Sequence, residues 1–215
     1  MNQEARFSRM EPELRKANLI EATLVCLKRH GFQGASIRKI SAEAGVSVGL
    51  ISHHYSGKDE LVAEAYRAIT GRVMSLLRNA MEHAAPNPRE RLSAFFRGSF
   101  SAELLDPQLI DAWLAFWGAV RTAESINLAH EHSYGEYRGI LRKVLTELAQ
   151  EENWENFDAD LAAISLSALL DGLWLESGLN PGTFTPEQGI QICEAWVDGL
   201  QAGGRQRFCV QTTGC

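Results

Sequence analysis

Apolar residues recur every three or four positions along most of the chain, and the β-branched alternation of strands is absent. That period belongs to helices, so the chain is predicted to be all-α. Pro12 suits a first helical position, where its missing N–H costs no bond. Ala17, Ile20, Leu24 and Leu27 then predict an inward face, and Gly31 a stop. Ser36 is a candidate N-cap for a short helix with Ile37, Ile40 and Ala44 inward, broken at Gly45. Ser47 can cap the next short helix, with Leu50, Ile51 and Tyr55 as its inner side. Ser56 with Asp59 has the spacing of a capping box before a long helix carrying Leu61, Ala65, Ala68 and Ile69.

Further along, Asn87-Pro88 and Asp106-Pro107 each read as a cap followed by a first-turn proline. Weaker breaks fall near residues 123–125 and 153–158. Thr185, Pro186 and Gln188 open a last long helix with a capping-box pattern. The count is about nine helices. The organisation expected is a helix-turn-helix unit over 1–57, a helical ligand-binding and dimerisation domain over 58–204, and a flexible tail over 205–215.

The two short helices joined near Gly45 are each marginal alone and need the first helix to bury their apolar sides. The outer side of the second would carry Ser47, Val48, Gly49, Ser52 and His53, with His54 beside them. Small residues let a helix enter a major groove about 12 Å wide, where Ser and His reach base edges or phosphates and Val a thymine methyl. Ser36, Arg38, Lys39 and Lys58 flank that side and suit phosphates. The pattern alone leaves a second reading open, a surface helical hairpin with no DNA partner. His53 and His54 are adjacent and diverge by about 100° on a helix, which argues against a shared metal ion.

Charge changes the picture modestly. Residues 1–70 hold ten Lys and Arg against eight Asp and Glu, and residues 71–215 eleven against nineteen. A mildly basic first third permits nucleic-acid binding at one end of a chain whose net charge is −6. The opening residues, MNQEARFSRMEPELRK, hold no apolar run, and no run reaches the roughly 18 residues of a bilayer span. The expectation is a cytoplasmic protein with no membrane partner. Cys26, Cys193, Cys209 and Cys215 have no CxxC or zinc spacing, so thiols are expected, with a Cys209–Cys215 disulfide as the alternative. No metal or cofactor is expected.

Leu19–Tyr66, LIEATLVCLKRHGFQGASIRKISAEAGVSVGLISHHYSGKDELVAEAY, resembles the N-terminal domain of the TetR family of repressors. The likeness covers a first helix, Gly-Phe, a Ser before the second helix, AGVS.G, the aromatic positions and the Lys that opens the fourth helix. Ser52 departs from the family's usual Tyr, and His54 fills the usual aromatic position. GLISHHY, AWLAFWGAV (Ala112–Val120) and ALLDGLWLE (Ala168–Glu176) are similar to the BetI-like subgroup of choline-responsive repressors. The resemblance implies a homodimer that binds palindromic operator DNA and is released by a small effector. It implies dimerisation through the last two long helices, where Leu166, Leu169, Leu170 and Leu173 face Ile190, Cys193, Val197 and Leu200. Packing inside one chain is the other reading of those residues.

Trp113, Phe116, Trp117 and Val120 share a stripe, read either as core or as pocket lining. Asp171 lies one turn from Trp174, and aromatic faces beside a carboxylate hold organic cations. A buried carboxylate must be paired, exposed or awaiting a cation. With Tyr134 and Tyr137 as further candidates, and with the BetI-like resemblance, the expected effector is a choline-like cation or a polyamine. No phosphate loop or ordered Cys/His set supports an enzyme. A small-molecule-binding enzyme and a helical protein-interaction module are the alternatives to a DNA-binding regulator.

Overall fold

A computed structural model describes residues 12–209. Among them are nine α-helices: α1 Pro12–Gly34, α2 Ile37–Ala44, α3 Val48–His54, α4 Lys58–Glu82, α5 Pro88–Ser99, α6 Pro107–Val120, α7 Glu124–Glu151, α8 Ala159–Leu179 and α9 Pro186–Gln201. A 3-10 turn, Gly204–Phe208, follows. The described residues form two compact units, one from residues 12–72 and 111–133, the other from 73–110 and 134–209. α4, α6 and α7 each supply residues to both. The first unit therefore adds residues 111–133 to the expected helix-turn-helix segment.

In the first unit, Gly31 takes φ 62°, a left-handed geometry that ends the regular part of α1. The buried side of α1 is Leu19, Ala22, Thr23, Cys26 and Leu27, not the expected Ala17, Ile20 and Leu24 stripe. Two apolar stripes overlap on this helix, and the one that wins includes a threonine. Thr23 is tolerated there because its hydroxyl donates to the Leu19 carbonyl at 2.7 Å. Ser36 caps α2 by accepting from Lys39 N, and Gly45 closes it at φ 68° with its N–H on the Ala42 and Ser41 carbonyls. Asn18 donates to the Ala44 carbonyl at 2.9 Å, tying α1 to that corner. The cap of α4 differs from expectation. The carboxylate that turns back is Glu60, which accepts from Ser56 N, and that bond holds Glu60 below the usual carboxylate range.

In the second unit, α5 is capped by Asn87 with Pro88 in its first turn, and Thr185 with Gln188 makes the expected capping box on α9. Arg89 of α5 reaches Glu194 and Asp198 of α9. Gly189 lies against the Phe100 ring; a Cβ there would sit 2.6 Å from Cε1, so only glycine fits. Residues 205–209 of the expected tail fold back onto the second unit. The Asp158 amide donates to the Phe208 carbonyl at 2.6 Å, and Phe208 packs edge-on against Phe157 and Trp196. Arg205 covers the Trp154 ring. Cys26, Cys193 and Cys209 are free thiols, and burial pushes Cys193 up to about 12. The alternative Cys209–Cys215 disulfide lies outside the described residues.

By length and composition alone α8 is long and apolar enough to cross a membrane, although no uninterrupted apolar run of that length is present. Its acidic residues, Asp160, Asp171 and Glu176, are widely spaced. The cause is visible in the packing. Ala162, Ala163, Leu166 and Leu170 enter the core, while Leu161, Ile164 and Leu175 are 46%, 47% and 37% exposed on another side. α8 is apolar on two faces, not one.

Candidate nucleic-acid interface and effector site

α3 has seven residues, too few to hold a helix alone. Ile51 anchors it, fully buried, with Leu50 and Tyr55 half-buried beside it. Ser47 caps its start by accepting from Leu50 N at 3.2 Å, which leaves the hydroxyl proton free to donate outward. Ser47, Val48, Gly49, Ser52, His53 and His54 are all exposed. The small polar side thus faces away from the core, and the His53 and His54 rings stand edge to face with centroids 5.0 Å apart. Among the described residues no group of three or more His, Cys, Asp or Glu could hold a metal ion.

The flanking cations are not equivalent. Arg38 is exposed and makes no ion pair among the described residues. Lys39 donates to the Gly34 carbonyl at 2.8 Å from an exposed position. Lys58 is half-buried, donates to the Phe32 carbonyl at 3.0 Å and sits 4.1 Å from the centre of the Phe32 ring. Its ammonium is anchored to α1, so only its remaining donors can face a phosphate. Ser36, like Ser47, only accepts in its capping bond, so its hydroxyl proton is left to donate.

The aromatic candidates divide between the units. In the first, Phe116 is fully buried and stands edge-on to Tyr66 at 5.1 Å, so it is core and not pocket lining. Trp113 packs on the same Tyr66 ring at 5.4 Å, and Trp117 on Trp113 at 6.4 Å. Tyr66 is also hydrogen-bonded to His130 Nδ1 at 2.8 Å, a partner the sequence pattern did not suggest.

In the second unit, Tyr137 packs on Phe95 and Tyr134, and burial raises its phenol well above the usual range. The Tyr134 face is already covered by the Arg138 guanidinium at 5.3 Å. Trp174 Nε1 donates to the Ser99 carbonyl at 3.0 Å, which fixes its ring to α5. Asp171 is half-buried on α8, one turn before Trp174, with no ion pair among the described residues. Burial alone pushes its carboxyl up to about 7.

Of the expected dimerisation residues, Leu166, Leu170, Cys193 and Val197 are sealed in the core of their own chain, and Leu173 and Ile190 are half-buried. The four sealed residues therefore have little surface to offer a partner, while Leu173 and Ile190 keep part of theirs. Sequence reasoning missed the outward stripe instead: Leu161, Ile164 and Leu175 on α8 and Ile192, 41% exposed, on α9. The spacings of three and eleven, which return to one side of a helix, were present in the sequence, but a second apolar stripe on the same helix masked them.

Comparison with known proteins gives two family matches: the bacterial regulatory proteins of the tetR family over residues 19–65, and the C-terminal domain of BetI-type transcriptional repressors over 88–202. The HTH-type transcriptional regulator BetI of Vibrio campbellii is 31% identical over 188 residues, 87% of this chain and 92% of that protein. The crystal structure of a protein from Pseudomonas aeruginosa PAO1 described as a transcriptional regulator is 75% identical with a TM-score of 0.93, covering 96% of this chain and all of that one. A regulator from Saccharomonospora viridis, solved in complex with choline, shares the fold at a TM-score of 0.72 and 22% identity, over 90% of this chain and 98% of that one.

Proposed function

The chain belongs to the TetR family of transcriptional regulators, with a BetI-type C-terminal domain, and from that premise we propose a repressor whose α3 enters the major groove of a palindromic operator. Val48, Gly49, Ser52 and His53 meet base edges, and Ser47, Arg38 and Lys39 meet phosphates. The observation that carries this reading is the outward exposure of every small polar residue of α3 over a buried Ile51. A homodimer places two copies of α3 about 34–36 Å apart, one turn of DNA. We propose that it forms through the exposed stripes of α8 and α9, Leu161, Ile164, Leu175 and Ile192, and works in the cytoplasm.

The effector in this reading is a small organic cation held by Asp171 beside Trp174. Three things support it: a half-buried carboxylate without an ion pair, an adjacent aromatic ring, and the BetI-type match. The choline-bound relative contributes only that this fold can hold such a cation. Effector binding favours an arrangement with a different α3 spacing, carried by α4 and α7. A coupling of about 1–3 kcal/mol, 5- to 150-fold in affinity, is typical.

Selection of operators from a random duplex pool, followed by anisotropy titration, tests this. Gly49→Leu adds bulk only near Ser47 Oγ, 4.0 Å from a Cβ, so it should fold normally and lose at least tenfold in operator affinity. Binding should also weaken steeply with salt, and choline should lower it. Operator affinity untouched by both Gly49→Leu and salt would rule out α3 as the reading helix.

A further inference from the structure

The second unit contains a cleft of about 520 Å³ that the reading above does not use. It lies among the end of α4, the loop to α5 and the middle of α7, and no residue of α8 or α9 lines it. Its volume is that of a small-molecule site. Its floor is apolar: Met81 and Val144 are buried, with Ile140 and Ala84 beside them. Its polar side carries Arg78, Arg91 and Lys143 against one acid, Glu82. That excess of cations stands out on a chain whose net charge is −6.

The three cations differ in what they have left to offer. Arg91 is bound to Glu147, and Arg78 to Glu136 at 3.5 Å, so both are largely neutralised and held in place by α7. Lys143 is exposed and makes no ion pair among the described residues. One unpaired ammonium above an apolar floor matches a molecule with a single negative charge and a hydrocarbon body. We propose that this cleft binds an amphipathic monocarboxylate, with its headgroup on Lys143 and its apolar part on Met81, Ile140 and Val144. The site is separate from Asp171 and calls for a ligand of opposite charge, so the two readings stand or fall independently.

Calorimetric titration of the full chain with octanoate, octanol and octyltrimethylammonium tests the proposal. Octanoate is expected to bind, with octanol and the ammonium at least tenfold weaker. Lys143→Glu should weaken octanoate at least tenfold and Lys143→Arg should preserve it; both sit at an exposed position and should leave the melting temperature unchanged. Asp171→Asn should leave octanoate affinity as it was, which separates this cleft from the cation site. Octanoate binding that is absent, equal in Lys143→Glu, or matched by octanol would overturn the proposal.

Discussion

α3 and α8 each present to solvent a face that their own chain does not cover, and the two faces have opposite chemistry. On α3 the outward side is serine, glycine and histidine over one buried isoleucine. On α8 it is leucine and isoleucine, standing back to back with a second apolar side that enters the core. The contrast teaches where a buried face can be recognised in advance. A helix with polar residues on one side announces its inner side. A helix that is greasy on two sides does not, and only packing decides which stripe goes in.

The sharpest way to break this comparison is to change one residue from each side of α8. Leu166→Ala removes core volume and should destabilise the fold by about 2–5 kcal/mol. Ile164→Glu, by contrast, should leave the melting temperature of the isolated chain nearly unchanged yet give a monomer by analytical ultracentrifugation. If Ile164→Glu stays dimeric, the outward stripe of α8 is not the interface.

A smaller effect concerns Asp171. Its carboxyl titrates near 7 when folded and near 4 when unfolded, so between those values the folded state holds the extra proton. Stability of the ligand-free protein should therefore fall as pH rises from about 4 to 7, by on the order of 2–4 kcal/mol at most. Asp171→Asn should flatten that slope and abolish choline binding, whose affinity in the parent should rise as pH passes 7. A pH profile identical in the variant would remove Asp171 from this account.

The smallest effect tests whether Lys58 acts through the fold or through DNA. Lys58→Ala loses the Phe32 carbonyl bond and the contact with its ring. The expected loss is about 1 kcal/mol of stability. Because two donors remain on the parent ammonium, operator affinity should fall only modestly. A tenfold or greater fall at unchanged stability would restore it as a principal phosphate contact.

The capping residues explain why so much of the fold was legible. Ser36, Ser47, Asn87 and Thr185 act locally, each through a bond three residues away, and each sits where the sequence indicates. Gly31 and Gly45 take left-handed geometries for the same local reason. The misses turn on packing, which local pattern does not fix. The inner side of α1 turned on a threonine whose hydroxyl could be satisfied by its own helix. Cys193 and Val197 went inward because α9 is pinned across α5 by Arg89, a contact spanning more than a hundred residues. The effector candidates were the least legible, since Tyr134, Trp174 and Phe116 each have partners on distant segments or neighbouring turns that composition does not reveal.

The ring cluster beneath the 3-10 turn has an optical consequence. Two of the five tryptophans, Trp154 and Trp196, are covered by Arg205 and Phe208 from the last described turn of the chain. Lifting that turn would wet both indoles at once while leaving Trp113 and Trp174 in their places. Their emission is therefore an intrinsic gauge of whether the C-terminal end is seated, one that needs no added dye.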